Sequence, residues 1–391
     1  MAPTTSTVIS ATLPLWRGLR RLWQARVSYI MLLPFLVPFL VFVVIPIFGS
    51  AYLSLSKYRG VKNNPPVYVG FSNYKQLLSL EIKEYPLRID EKTGEQVYRC
   101  GRKNVLESEV AAYSAREGVS CEKAFELPRK VLSEGYSEFD HYTILGKTYI
   151  VGARDPRFWH AVQNTTIYVI VVVTLNVLFG MMLALALQRQ TFFNMTLRTI
   201  FFLPSVTSSV AIAVVWSWIL RGQDYGLING IRRSLGFKNS IIFLQDVHWT
   251  LPVLITLAVW GGMGYTMILF LAGLQNIGQD IYEAASIDGA NTRQKFLRIT
   301  LPLLRPTLLF VVVTGIIGAF QVFDSVYVLF TSAEGVGGLL DSGLTVVVYL
   351  YDQGFRQFNL GYASAIAWIL FFIIFAVTLI NLRVGRTREE V

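Results

Sequence analysis

The chain has 391 residues, of which 53% are hydrophobic and 15% are charged, and its mean hydropathy is +0.48. A soluble protein of this length carries more charge to cover its surface, so the composition indicates a membrane protein. The formal net charge is +10. The basic residues stand near the ends of apolar runs without interleaved aromatic residues, and a nucleic-acid partner is therefore not expected.

Six apolar runs reach about the 20 residues with which a helix crosses roughly 30 Å of hydrocarbon. They occupy 29–53, 161–187, 199–220, 251–274, 307–330 and 361–382. The sequence therefore predicts an all-α integral membrane protein with six transmembrane helices surrounded by lipid. The first run is too long for the apolar part of a cleaved signal peptide and is predicted to remain as a helix.

The distribution of Lys and Arg predicts a multi-pass protein with both termini in the cytoplasm. In that orientation 13 of the 35 basic residues fall on the inner side and 5 in the short outer loops, as the positive-inside rule requires. Four of those 5 lie at 221–250 and count against the assignment. The predicted parts are a cytoplasmic segment 1–28, a first helix 29–53, an extracytoplasmic segment 54–160, a five-helix core 161–382 and a cytoplasmic tail 383–391.

Within the long segment after the first run, residues 80–154 are predicted to form a small inserted domain, hereafter the insert. Tyr, Phe and Leu are spaced through its charged stretches, which favours a folded unit over a flexible loop. Cys100 and Cys121 are the only cysteines of the chain. Because the orientation puts them on the oxidising side of the membrane, a disulfide is the favoured interpretation; two unpaired, partly buried thiols are the alternative.

The segment 276–306, between the fourth and fifth runs, has the features of a rigid surface knob. Asp280 and Glu283 have the spacing of a capping box at the start of one short helix, and Asn291 and Gln294 repeat it for a second. Gly289 permits the turn between the two. The spacing alone fits a plain interfacial loop equally well. Small side chains that let another surface approach the backbone closely are Ala284, Ala285 and Ala290.

The sequence lacks the groups that a membrane-embedded enzyme needs, which are convergent nucleophiles, bases or metal ligands. His141, His160 and His248 lie outside the apolar runs at no ligand spacing, and neither cysteine lies in a run. No G-x-x-x-x-G-K-[ST] phosphate-binding loop occurs in the chain. We therefore expect no catalytic residue, no metal and no cofactor bound by this chain.

The knob contains the sequence Glu-Ala-Ala, followed three positions later by Asp-Gly-Ala. This order of residues is similar to the cytoplasmic coupling loop of binding-protein-dependent ABC importer permeases. The resemblance covers residues 25–80 and 155–385, and is closest to the first permease subunit of maltose-type or glycerol-phosphate-type systems for carbohydrate uptake. The other motifs that carry it are 69–74, 155–159, 164–165, 198–204, 216–218, 225–229, 270–275 and 361–365.

That resemblance implies a type I ABC importer transmembrane domain in the cytoplasmic (inner) membrane. It implies pairing with a second, homologous permease as a heterodimer, with two ATPase subunits that use ATP and Mg²⁺, and with an extracytoplasmic solute-binding protein. Glu283 would be the acidic contact to the ATPase and Gly289 the turn. The implied docking surface consists of Ala284, Ala285, Asp288 and Ala290.

Candidates for the substrate path lie in the fourth and fifth runs. Asp324 is the only ionisable residue within a run, and because a carboxylate in hydrocarbon is costly it should face protein or water. Gln321 is expected on the same helical face, close to Phe323, while Trp260 and Tyr265 lie in the fourth run. Aromatic faces with amide and carboxylate partners suit a sugar. Packing or interfacial anchoring is the alternative for each of them.

The solute expected from the resemblance is a di- or oligosaccharide, with a sugar alcohol or glycerol phosphate as the alternative within the same class. A channel or secondary transporter is a distant alternative, since no internal repeat is evident. The insert interrupts the family's pattern. In that pattern the segment that corresponds to 73–74 is followed almost directly by the segment that corresponds to 155–159. Its role is therefore a separate hypothesis, contact with the binding protein.

Overall fold

The computed structural model describes residues 26–60, 65–222, 226–237, 239–332 and 335–386. Most of the predicted N-terminal segment and the end of the predicted tail lie outside these ranges. Five helices are long and apolar enough to cross a membrane, and a bent helix pair makes a sixth if it counts as one span, all within the described ranges. The structure is a helical membrane domain with a β-rich insert after its first helix.

The elements before the membrane core, in chain order, are as follows. Helix α1 comprises Arg26–Phe39 and Ile45–Ser54, joined by the π-helical turn Leu40–Val44. It is followed by β1 (Ser56–Lys57), β2 (Val67–Tyr68), α2 (Ser72–Leu78), β3 (Leu80–Glu84), β4 (Val97–Cys100), β5 (Lys103–Leu106), α3 (Val110–Glu117), β6 (Cys121–Lys123), α4 (Pro128–Val131), β7 (Ser137–Ile144) and β8 (Lys147–Ala153).

The membrane core consists of α5 (Pro156–Ala186), α6 (Phe192–Val206), α7 (Ser209–Ile219), α8 (Leu227–Ser234), α9 (Val247–Gln275), α10 (Gln279–Ile287), α11 (Thr292–Lys295), α12 (Arg305–Phe320), α13 (Asp324–Phe330), α14 (Val346–Tyr351) and α15 (Leu360–Arg386). The long helices α5, α9, α12 and α15 enclose the main hydrophobic core. Helix α1 lies against α15 and leaves most of its apolar surface exposed.

Two of the predicted spans are interrupted. The run 199–220 was predicted as one helix, but α6 and α7 meet at a bend of 99°. Pro204 lacks an N–H for the helical ladder, and Thr207 and Ser208 are extended. The run 307–330 breaks between α12 and α13, where Phe323 has a non-helical backbone. The Thr345 hydroxyl donates to the freed carbonyl of Val322 at 3.2 Å, which satisfies a polar group that lipid would not.

The insert consists of two antiparallel three-stranded sheets with strand orders β3-β8-β7 and β5-β4-β6. Strand β5 ends at Leu106, and helix α3 begins at Val110. The ends of the insert meet, because Leu80 pairs directly with Ala153. Cys100 and Cys121 are directly opposed on β4 and β6 and are joined by a disulfide, with their Cα atoms 4.2 Å apart.

Helices α6 and α9 touch backbone to backbone. A Cβ atom added at Gly264 would stand 1.9 Å from the carbonyl oxygen of Phe201, which is far inside van der Waals contact. Only glycine allows this approach. The contact holds the first half of the bent span against the fourth long helix, which carries Trp260 and Tyr265.

Candidate functional site

The knob contains two short helices joined by a left-handed turn. Gly289, between α10 and α11, has a φ of +76°, a conformation that other residues adopt only with strain. The predicted capping box at Asn291 is confirmed: its side chain accepts from the Gln294 N–H at 2.9 Å, and the Gln294 side chain accepts from the Asn291 N–H at 2.8 Å. Both side chains therefore fix the start of α11.

The other predicted capping box is wrong. Helix α10 begins at Gln279 after Gly278, which contributes no side-chain cap, and Asp280 lies inside its first turn. The helix has nine residues. Because Asp280 lies two positions after the N-cap residue Gly278, its carboxylate instead adds negative charge near the helix N-terminus, where the helix dipole favours it.

The knob is braced on one side and open on the other. A hydrogen bond of 2.9 Å between the hydroxyls of Tyr282 and Thr300 joins α10 to the π-helical turn Phe296–Thr300. The Lys295 ammonium donates to the Ser286 hydroxyl and links the two short helices. The opposite face is free: Glu283, Ala284, Asp288 and Gly289 are exposed, while Ala285 and Ala290 are half-buried.

Ile287 belongs to this open face and was missed in the sequence analysis. It follows Glu283 by one helical turn, and 87% of it is exposed. Its side chain and the carboxylates of Glu283 and Asp288 are therefore accessible to another surface. The signal in the sequence was its spacing of four residues from Glu283, which places both on one helix face.

The two helix breaks meet. The Ser209 hydroxyl at the first residue of α7 donates to the Asp324 carboxylate at the first residue of α13. The expectation that Asp324 faces a polar partner is met, but its relation to Gln321 is not as predicted. Gln321 ends α12 and is exposed, so the break separates it from the helix that carries Asp324.

The two aromatic candidates of α9 lie on different sides of that helix. Trp260 packs edge-on against Trp216 of α7, with ring centroids 5.9 Å apart. Tyr265 lines a cavity of about 300 Å³ among α5, α9 and α12, which extends to Val322 at the second break. The Asn176 side-chain oxygen is buried at this cavity and has no hydrogen-bond partner within the described residues. Tyr265 therefore shares a cavity with Val322 at the second break, whereas Trp260 contacts α7 through Trp216.

Phe323 stands at the second break and joins an aromatic group that the sequence analysis did not include. Its ring stacks on Tyr327, one turn along α13, with centroids 5.1 Å apart, and also contacts Tyr351 of α14 at 5.1 Å. Asp324 lies on the same side of α13 as Tyr327, three residues before it. The paired breaks thus carry a carboxylate, a hydroxyl and several aromatic faces.

A polar network fastens the N-terminal end of α5 to the loops near α14. The Asp155 carboxylate accepts from the Phe158 N–H at 3.1 Å, from the Tyr349 hydroxyl at 2.6 Å and from the Tyr362 hydroxyl. Burial beside Asp155 raises the pKa of Tyr349 above its usual value, so this hydroxyl remains a donor. The Arg157 guanidinium forms a bidentate ion pair with the Asp341 carboxylate, with N–O distances of 2.7 and 2.8 Å.

Comparisons with known proteins place these features in a family. The family described as binding-protein-dependent transport system inner membrane component matches residues 176–388. The probable ABC transporter permease protein YesP of Bacillus subtilis is 39% identical over 227 residues, 58% of this chain and 72% of that protein. The arabinooligosaccharides transport system permease protein AraP of Halalkalibacterium halodurans is 36% identical over 229 residues, 58% of this chain and 71% of that protein.

The fold has a solved counterpart in a bacterial ABC transporter involved in the import of the acidic polysaccharide alginate. One of its chains superposes with a TM-score of 0.64 over 96% of this chain and 99% of that one, at 20% sequence identity. The likeness at this identity is one of fold. The family match over residues 176–388, more than half of the chain, shows that this chain belongs to the binding-protein-dependent transport system inner membrane components, the permeases of ABC transporters.

Proposed function

We propose that this permease imports a di- or oligosaccharide across the cytoplasmic membrane, as one of two homologous transmembrane subunits driven by two separate ATPase subunits. Both termini then lie in the cytoplasm and the insert lies outside. The observation that carries the proposal is the knob, which is braced to the membrane core on one side and presents an open face on the other.

The open face has the chemistry of a docking surface for a protein with a basic rim and an apolar groove. Glu283 and Asp288 supply negative charge, and Ile287 supplies an apolar anchor between them. Exposed charge steers association, whereas a buried apolar anchor supplies most of the binding free energy. ATP and Mg²⁺ would be bound by the partner, and the chain would transmit its movement through α10, α11 and the bond from Tyr282 to Thr300.

The paired helix breaks support a sugar path. Interrupted helices inside a membrane domain are tolerated where they line a cavity or are buried in protein, and here they bring the Ser209 hydroxyl to the Asp324 carboxylate, beside Phe323. Hydroxyl and carboxylate groups can bind sugar hydroxyls, and aromatic faces can cover the apolar C–H patches. The named function of AraP, which concerns arabino-oligosaccharides, agrees with this chemistry.

The insert is proposed to contact the solute-binding protein. It connects the end of α1 to the start of α5, on the face opposite the knob in the proposed orientation. Its β7–β8 hairpin exposes Leu145 completely, next to the half-exposed Ile144, and exposed apolar side chains at a loop tip favour a protein contact.

Site-directed cross-linking tests the partner assignments. A photo-crosslinker is attached to a cysteine introduced at Ile287 or at Leu145, in membranes that contain the co-expressed ATPase, second permease and binding protein. We expect the Ile287→Cys variant to capture the ATPase and the Leu145→Cys variant to capture the binding protein. Capture of the binding protein from position 287 would invert the proposed orientation and contradict the docking role of the knob.

A further inference from the structure

The aromatic group at the second helix break continues beyond α13. Tyr351, the last residue of α14, contacts both Phe323 and Tyr327 with centroid distances of 5.1 and 5.2 Å. Phe355 stacks on the other side of Tyr351 at 5.1 Å and an interplanar angle of 27°. Four rings therefore form one continuous series that begins beside Asp324 and ends at Phe355.

The far end of the series is exposed on a firmly held backbone. Asp352, Gln353 and Gly354 are buried directly before Phe355, whereas 61% of Phe355 is exposed. The Asp352 carboxylate accepts from the Gln357 side chain at 2.9 Å and pairs with Arg356 at 3.7 Å. The loop therefore buries polar residues and exposes an aromatic ring, although burial of the ring would stabilise the folded chain.

The surroundings of the series suit a sugar better than lipid or a dry protein contact. Tyr327 and Tyr351 bring hydroxyl groups to its middle, Asp324 lies at one end, and Arg356 and Gln357 lie at the other. Acyl chains provide no partners for these polar groups. A saccharide provides apolar C–H faces for the rings and hydroxyls for the polar side chains.

We propose that Tyr351 and Phe355 form an outer subsite that binds a third sugar unit of the transported oligosaccharide, beyond the two units held near Phe323 and Asp324. This inference rests on the proposed function. It assigns chain-length selectivity to the two outer rings, because a short sugar that occupies only the inner part of the path does not reach them.

The test uses the complete transporter in proteoliposomes with its ATPase, second permease and binding protein. Uptake of an arabinose disaccharide is compared with uptake of longer arabino-oligosaccharides for Tyr351→Ala, Phe355→Ala and Tyr351→Phe. Phe358→Ala is the matched control, because Phe358 lies in the same loop and is 55% exposed but stands outside the ring series.

We expect the two alanine variants to take up the longer sugars with an apparent affinity about threefold to tenfold lower, as loss of one aromatic contact implies. Disaccharide uptake by these variants and all uptake by Phe358→Ala should stay near wild type. Tyr351→Phe keeps the ring and loses only the hydroxyl, so it should lose less affinity for the longer sugars than Tyr351→Ala. An equal loss for every chain length, or loss of the second permease on purification, would assign the rings to assembly and overturn the subsite. If the wild-type complex hydrolyses ATP with its partners but imports no saccharide, the proposed function itself fails.

Discussion

Gly289 is the residue on which the shape of the knob depends most. Its φ of +76° places it in the left-handed region, and an added Cβ would meet no atom within 4 Å. The requirement is therefore conformational rather than steric, and a β-branched residue would strain the turn by about 1–2 kcal/mol. The sequence predicted the turn because Asp-Gly is followed by a cap at Asn291.

Gly289→Val should uncouple ATP hydrolysis from transport. We expect the assembled complex to retain ATPase activity while sugar uptake falls at least about tenfold, because a shift of roughly 1.4 kcal/mol already displaces a two-state equilibrium tenfold. Parallel assays of phosphate release and uptake in proteoliposomes measure both. Gly118→Val is the matched control, since Gly118 has a φ of +64° with open space around it and lies in the insert. Normal transport by Gly289→Val would refute the turn assignment.

Trp260 is the residue for which packing and substrate contact are hardest to separate. Its ring contacts Trp216, and 38% of it remains exposed. We expect Trp260→Ala to lower the apparent affinity for sugar by about tenfold, within the range of losing a large aromatic face. Trp249→Ala serves as the control because Trp249 is 39% exposed and packs on Phe243 near the start of α9. Unchanged uptake and unchanged sugar-stimulated ATPase activity would remove Trp260 from the path.

At the scale of elements, hydropathy predicted where apolar segments lie but not where they break. Thr207, Ser208 and Gln321 interrupt helices without lowering the mean hydropathy enough to divide a run. The meeting of the two breaks depends on the packing of α7 against α13, which no local pattern encodes. The capping box at Asn291 was predictable because all of its partners lie within four residues.

The disulfide is the main covalent constraint of the insert. It joins β4 to β6 across 21 residues of sequence, and closing a loop of this length contributes about 3 kcal/mol in the chain-entropy model. We expect a membrane-impermeant thiol reagent to label neither Cys100 nor Cys121 in intact cells, and to label both after reduction. Labelling without reductant would show that the thiols are free.

The insert can be removed at its two paired ends. Replacing 81–152 by an Asn-Gly turn would connect Leu80 to Ala153, which already face each other across two strands. We expect the shortened permease to assemble with its ATPase but to bind the solute-binding protein at least about tenfold more weakly, since an interface of this kind concentrates its free energy in few residues. Surface plasmon resonance on the solubilised complex measures this affinity. An unchanged affinity would exclude the insert from the contact.

At the scale of the whole molecule, the exposed surfaces fit the proposed assembly with partner subunits. Helix α1 leaves its apolar surface exposed along its length, and Glu283, Ile287 and Asp288 are exposed on the knob. The sequence predicted the membrane class and the two short helices of the knob, because composition and turn chemistry are local properties. The ring series from Phe323 to Phe355 was not predictable, because its members come from separate elements that only tertiary packing brings together.

The central claim is that ATP hydrolysed by a partner moves sugar through this permease by way of the knob. The most direct measurement is sugar uptake into proteoliposomes that contain this chain, its second permease and its ATPase, with binding protein outside and ATP inside. We predict uptake that stops when ATP, ATPase or loaded binding protein is omitted, and that fails in Gly289→Val while ATP hydrolysis continues. Uptake by this chain alone without ATP would contradict the account and indicate a channel or secondary transporter.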